Sequence, residues 1–300
     1  MMVSFSELPL RGVMRKQEPM SRHTTWRVGG PAEHYYEPAD HDDLTNLLQR
    51  LPADEPILWL GLGSNLLVRD GGIRGTVINI TNRLTGLERL NGDRVWVEAG
   101  VPCAKVARFC ARERLTGAEF LAGIPGTMGG ALKMNAGAFG GETWPLVSRV
   151  ETLDRRGMLR QRGPADYEIG YRTVQGPGDE WFTAAVLQLQ AGDTEQGQQH
   201  IRKLLEQRSR TQPTSQPTAG SVFRNPPGDY AARLIETAGL KGTCIGGACV
   251  SEKHANFIVN TGSATAADIE ALIERVAAVI AEKHGVQLQR EVHIVGERQP

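Results

Sequence analysis

Residues 117–142 read GAEFLAGIPGTMGGALKMNAGAFGGE, with eight glycines in 26 positions and almost no charge. Glycine is entropically costly in an ordered chain, so such a cluster is kept where backbone must approach something closely or adopt positive φ. A large planar polyanion suits the stretch, because backbone N–H groups cradle phosphates and small side chains let a ring lie against the main chain. A glycine-rich surface loop without a ligand is the alternative, and composition alone divides the two evenly. Gly61-Leu62-Gly63-Ser64-Asn65, upstream, adds a second glycine turn after the short apolar run 56–60 (PILWL). A dinucleotide fingerprint would need a third glycine and a following helix. Leu66 stands at the glycine position and LLV continues extended, so a strand–loop–strand cradle is expected, with Ser64 and Asn65 as donors. Two such loops suit one long ligand with a pyrophosphate between bulky ends.

Composition sets bounds around this pair of loops. Three hundred residues suggest two or three modest domains. Apolar residues make up 40% and charged residues 23%, as in ordinary soluble globular chains. Lys+Arg and Asp+Glu are equal at 34 each, so no net field favours nucleic acid or an anionic membrane. No apolar run approaches the roughly 20 residues of a membrane helix, and the N-terminus MMVSFSELPLRGVMRKQEPM lacks a signal-peptide layout, which makes the cytoplasm the expected location. Cys103, Cys110, Cys244 and Cys249 form no C-x-x-C pair, and no histidine cluster offers a metal site, so structural thiols are expected.

Periodicity predicts strands at 33–37, 56–60, 76–80, 94–97, 149–154, 158–162, 181–189, 256–260 and 292–295. Helices are predicted at 41–51, 102–115, 194–209, 230–238 and 265–283, the last with Thr265 as N-cap and Gly285 as C-cap. TQPTSQPTAG (211–220) reads as a linker or surface loop.

Taken together, the motifs carry a family resemblance. Thr24-Thr25-Trp26-Arg27-Val28-Gly29-Gly30, Gly61–Leu67, Gly123–Ala131, Met134–Gly137 and Gly170-Tyr171-Arg172 are similar, in order, to motifs of the UDP-N-acetylenolpyruvoylglucosamine reductases. So are Gly220–Pro226, His254–Asn260 and Glu291–Gly296. The resemblance spans nearly the whole chain. It implies an NADPH-dependent FAD enzyme that reduces the enolpyruvyl ether of a UDP-sugar to UDP-N-acetylmuramate in peptidoglycan precursor synthesis.

The fold implied is α+β: a two-part α/β FAD-binding domain (PCMH-like), at 1–82 and 83–208, plus a C-terminal α+β substrate-binding domain at 209–300. The cofactor residues implied are Gly61, Gly63, Ser64, Asn65, Gly123, Ile124, Pro125, Gly126, Thr127, Gly129, Gly130, Ala131, Asn135 and Gly137. Arg172, Ser221 and Glu291 are implied as catalytic, and Tyr171, Arg224 and Asn225 as substrate contacts. The gap from Arg172 to Ser221 leaves no room for the extra tyrosine-bearing loop of longer members, and Thr211 replaces a frequent lysine. The partner expected is the small UDP-sugar, with no nucleic acid, membrane or metal, and balanced charge fits a monomer.

Hydride addition to the enolpyruvyl methylene carbon puts carbanion character beside the carboxylate. That requires positive charge or a donor at the carboxylate and an acid on one face of the carbanion. Arg172 offers a planar fork for the first and Ser221 a hydroxyl for the second. Glu291 helps as a neutral acid or through an arginine; partial burial would raise its pKa and Arg172 or Arg290 would lower it. A flavin oxidase of the same fold would instead react with oxygen and ignore UDP-sugars. A nucleotide-sugar binding protein without flavin would be colourless.

Overall fold

The structure, a computed structural model, describes residues 10–299. Residues 1–9, part of the stretch read for a signal peptide, and residue 300 lie outside it. The fold is α+β. Its residues divide into two compact units that are not contiguous in sequence. The first holds the chain up to Arg15, His34–Leu62 and Gly75–Glu206; the second holds Lys16–Glu33, Gly63–Arg74 and the chain from Gln207.

In the first unit, helix α1 (His41–Arg50) starts where the Asp40 carboxylate accepts from the Asp43 amide. Asp42 and Asp43 in its first turn and Arg50 in its last complement the helix dipole. Its Leu44, Leu47 and Leu48 are buried against Tyr36, Ile78, Ile80 and Leu84, each burial stabilising by about 1.5–3 kcal/mol. Strand Ile57–Leu60 runs parallel to Ile73–Asn79 in a four-stranded sheet completed by Pro31–Glu37 and Val13–Pro19. The glycine turn Gly61–Asn65 follows the end of Ile57–Leu60 directly.

A second core lies under a five-stranded antiparallel sheet, ordered Leu159–Arg162, Val147–Asp154, Glu180–Gln188, Arg94–Glu98, Leu87–Leu90. Val95, Val97, Val150, Ala185 and Leu187 of this sheet meet α2 (Cys103–Arg112) through Val106 and Cys110. They also meet α3 (Met128–Met134) through Met128 and Leu132. Helix α4 (Thr194–Thr211) buries Ile201 and Leu204. Cys103 and Cys110 are buried free thiols, pushed up to about 12 by burial, as expected of structural cysteines.

The presence of α3 differs from the expectation of an unbroken glycine loop over Gly123–Ala131. Thr127 caps the helix with its hydroxyl toward the Gly130 amide. Gly129 lies against Ala99, where a Cβ would come to 2.9 Å. Here glycine allows close helix–strand packing, which outweighs its poor helix propensity.

In the second unit, α5 (Ala231–Thr237) and α6 (Ala266–His284) pack with the three-stranded antiparallel sheet Cys244–Ile245, Ala248–Val250, Ile258–Asn260. The Thr265–Asp268 capping box opens α6 and Gly285, at φ 66°, closes it, as the sequence predicts. The Asp70 carboxylate accepts from the Ala266 and Ala267 amides. Strand Leu66–Val68 pairs in parallel with His293–Val295. The Trp26 indole donates to the Ile258 carbonyl at 2.8 Å, and Asn260 Nδ2 donates to the Trp26 carbonyl at 2.9 Å.

Cys244 and Cys249 correct the expectation of four thiols: they form a disulfide. The Gly246-Gly247 turn makes them cross-strand neighbours, which spacing alone does not reveal. Among the described residues, no helix is long and apolar enough to cross a membrane.

Glu270 on α6 is 5% exposed and accepts from Arg69 Nε and Nη2, both at 2.9 Å, and from Arg298 Nη2. Arg69 foremost, then Arg298, holds its carboxyl down to about 2. A depressed carboxyl contributes stability above its unfolded pKa and loses it as pH falls toward the folded value. Glu270→Gln is therefore expected to cost about 1–2 kcal/mol at neutral pH, limited by the solvent reached by both arginines. Denaturant unfolding should show that deficit shrinking between about pH 4.5 and pH 2, where the native protein loses the same contribution.

Candidate active site

Both glycine loops reach one place in the first unit. Gly61 lies so close to Thr127 that a Cβ would stand 2.5 Å from its hydroxyl. Thus the end of strand Ile57–Leu60 and the start of α3 are juxtaposed, and only glycine fits between them. The backbone amides of Leu62, Gly63, Ser64 and Thr127 take no hydrogen bond among the described residues. Gly63 and Ser64 belong to the second unit, where the Thr25 amide donates to the Gly63 carbonyl at 3.2 Å. Ile124, Pro125 and Gly126 form a turn in which the Gly126 amide donates to the Ile124 carbonyl. Ala131 lies on α3, its amide bonded to the Thr127 carbonyl, and Gly123 packs under the Phe139 ring.

Arg172 belongs to the first unit, in the turn of a hairpin formed by Glu168–Gly170 and Thr173–Gln175. It sits at φ 55°, a left-handed conformation uncommon for a residue with a side chain. Its Nη2 donates to the Gly137 carbonyl at 2.8 Å and its Nη1 to the Asn135 carbonyl at 3.4 Å. The guanidinium also lies 5.3 Å from the centre of the Tyr171 ring, within cation–π range. Tyr171 is 47% exposed, so its ring supports Arg172 rather than the core. A Cβ on Gly137 would meet the Gly141 carbonyl at 2.4 Å and Arg172 Nη1 at 3.1 Å, which explains glycine at this position.

Ser221 and Glu291 belong to the second unit, and the structure brings their segments together. The Glu291 amide donates at 2.8 Å to the carbonyl of Val222, the residue after Ser221. Phe223 and Arg290 form a further antiparallel bridge. Asn65, expected at the cofactor, donates from Nδ2 to the Glu291 carbonyl at 3.0 Å. Ser221 and Glu291 are both half-buried, and Ser221 follows Gly220 at φ 77°. Arg224 Nε is buried and donates to no partner among the described residues. The Asn225 side-chain oxygen accepts from the Ala231 amide at the start of α5.

Sequence inspection gave no role to Asn256, although it stands in the motif His254–Asn260. Its side chain is 3% exposed and holds both backbone groups of Phe223, accepting from N–H at 3.0 Å and donating to the carbonyl at 2.8 Å. The Val222 amide donates to the Asn256 carbonyl at 2.9 Å. Asn256 thereby fixes the main chain directly after Ser221. The signal available was a polar residue in an otherwise apolar strand approach, which marks a buried group needing partners.

Comparison with known proteins accords with this arrangement. An FAD binding domain profile matches residues 32–162, and the profile of the UDP-N-acetylenolpyruvoylglucosamine reductase C-terminal domain matches 212–295. The chain is 62% identical over 288 residues to a UDP-N-acetylenolpyruvoylglucosamine reductase of Alkalilimnicola ehrlichii, covering 96% of each chain. It is 61% identical over 291 residues to that of Methylococcus capsulatus, covering 97% of this chain and 96% of the relative. The crystal structure of the reductase from Thermus caldophilus superposes with a TM-score of 0.82 at 34% identity, covering 95% of this chain and 99% of that one.

Replacing Asn256 by Ala removes two side-chain bonds and strands buried backbone groups. The expected cost is about 2–4 kcal/mol, read as a lower unfolding midpoint at unchanged denaturant dependence.

Proposed function

Since the chain belongs to the UDP-N-acetylenolpyruvoylglucosamine reductase family and is a flavin oxidoreductase, we propose that it reduces UDP-N-acetylglucosamine enolpyruvate to UDP-N-acetylmuramate with NADPH. In this reading it works as a monomer in the cytoplasm, in peptidoglycan precursor synthesis. Segments 1–82 and 83–208 serve the cofactor, and 209–300 serves the sugar nucleotide. The observation that supports the reading is the bond between the Glu291 amide and the Val222 carbonyl, which joins the segments of Glu291 and Ser221, distant in sequence.

The residues present fit FAD. The close approach of Gly61 to Thr127 and the unbonded amides of Leu62 and Thr127 offer donors without obstructing side chains. Gly123–Ala131 would line the same group. When bound, FAD supplies the substrate's methylene carbon with a hydride that originates on NADPH. Arg172, braced by two carbonyls and the Tyr171 ring, presents its guanidinium to the substrate carboxylate as negative charge spreads onto it. Ser221 gives its hydroxyl proton to the adjacent carbon. Glu291 serves the carboxylate as a neutral acid or through an arginine. Arg224, with its buried Nε, and Asn225 lie on the same segment as Ser221 and serve the remainder of the substrate.

Ser221→Ala is expected to leave flavin reduction by NADPH nearly intact and to slow reoxidation by the enolpyruvyl substrate about 10³-fold. Stopped-flow absorbance separates the two half-reactions. A parallel fall in both would remove Ser221 from the role of acid.

A further inference from the structure

One residue of the first unit holds Arg172 at both ends. Asn135 closes α3 in the left-handed conformation, φ 45° and ψ 51°, which asparagine tolerates better than most residues. That conformation turns its carbonyl toward Arg172 Nη1 and its side chain toward the base of the hairpin that carries Arg172. Asn135 Nδ2 donates to the carbonyl of Gly170, two residues before Arg172, and to Glu142 Oε2, each at 3.1 Å. Its Oδ1 accepts from the Trp144 amide at 3.0 Å. With 1% exposure and both amide hydrogens committed inside the protein, the side chain has no donor left for a ligand.

We infer that Asn135 is a positioning residue: it sets Arg172 for the substrate carboxylate rather than touching the cofactor. The turn sets Arg172 in a left-handed conformation, and ordering its long side chain costs rotamer entropy. Tying the Gly170 carbonyl fixes where that side chain begins, and the Asn135 and Gly137 carbonyls fix where its fork ends. Glu142 completes the device by accepting the second amide hydrogen, which holds the Asn135 side chain in one orientation. The planar fork is then preset for a carboxylate in bidentate geometry. Because Asn135 meets both the hairpin and the fork, a change at position 135 is felt at the guanidinium.

This inference rests on the proposed role of Arg172 toward a carboxylate, and binding measurements separate the two. The FAD-loaded protein is titrated calorimetrically with UDP-N-acetylmuramate, which carries the carboxylate, and with UDP-N-acetylglucosamine, which lacks it. The wild type should prefer the carboxylate ligand, and Arg172→Ala should abolish the preference. Asn135→Gly keeps the left-handed backbone and its carbonyl while deleting the side chain. It should weaken UDP-N-acetylmuramate about tenfold, the equivalent of one hydrogen bond's worth of orientation, and leave UDP-N-acetylglucosamine and flavin absorbance unchanged.

Asn135→Asp provides the second variant. It replaces the donor with a carboxylate oxygen facing Glu142 and the Gly170 carbonyl, so the loss should be larger than in Asn135→Gly. In the double variant, Arg172→Ala should make the change at 135 silent toward UDP-N-acetylmuramate. A wild type without preference would end the reading of Arg172 and this inference with it. An intact preference in Asn135→Gly, or equal weakening of both ligands, would overturn the inference alone. Loss of flavin from that variant would return Asn135 to the cofactor.

Discussion

The second unit depends on the reciprocal pairing of Trp26 with the strand Ile258–Asn260. The indole N–H meets the Ile258 carbonyl, and the Asn260 side chain meets the Trp26 carbonyl, all in surroundings closed to water. A buried indole donor without a partner would be costly, and so would an unbonded Trp26 carbonyl. The Ile258 carbonyl, which also accepts from Thr218 Oγ1 at 2.8 Å, and the Asn260 amide remove both costs. The consequence is topological. A motif near the start of the chain becomes part of the same hydrophobic cluster as α5 and α6. The segment Gly63–Arg74 joins them by pairing Leu66–Val68 with His293–Val295 and by using Asp70 to cap α6. Asn65 is thereby placed beside Glu291 as a result of sheet register.

The segments that carry the proposed reactive side chains are held, in each unit, by backbone groups and asparagines more than by charge. Asn256 grips the peptide groups of Phe223, Asn65 grips the Glu291 carbonyl, and Asn135 grips the hairpin of Arg172. Asparagine suits this work because one side chain carries both donor and acceptor and remains neutral. A carboxylate in the same positions would bring a charge that shifts the field felt by the reacting groups. Neutral clamps orient a site and leave its electrostatics to the residues that meet the ligand.

Much of the fold could be read directly from periodicity. The leucines of α1 and the apolar stripe of α6, with Thr265 and Gly285 at its ends, are local signals, and the structure places them as expected. The alternating runs at Arg94–Glu98 and Glu180–Gln188 also become paired strands. Short-range chemistry hid two features. Helix α3 contains two glycines, whose propensity argues against a helix, and its reason for existing is close packing on Ala99. The Cys244–Cys249 pair depends on a two-glycine turn that makes positions five apart face each other. The interleaving of Lys16–Glu33 and Gly63–Arg74 with the C-terminal segment left no compositional mark, since partners distant in sequence are chosen by tertiary packing.

The same distinction applies to the site. Arg172, Ser221 and Glu291, the residues proposed for the chemistry, are singled out by motif because the proposed roles rest on their side chains. Asn135 and Asn256 could be seen as polar residues in conspicuous places, but their partners are main-chain groups, and any residue type can supply a carbonyl. Hydrogen bonds to the backbone therefore leave no complementary residue in the sequence to search for. The glycines show the converse. Gly61 and Gly137 are visible in the sequence, yet what excludes a side chain at each is another part of the protein: the Thr127 hydroxyl in one case, and the Gly141 carbonyl with the Arg172 guanidinium in the other. A glycine-rich stretch thus reports close approach without saying to what, and here part of that closeness serves to seat an arginine.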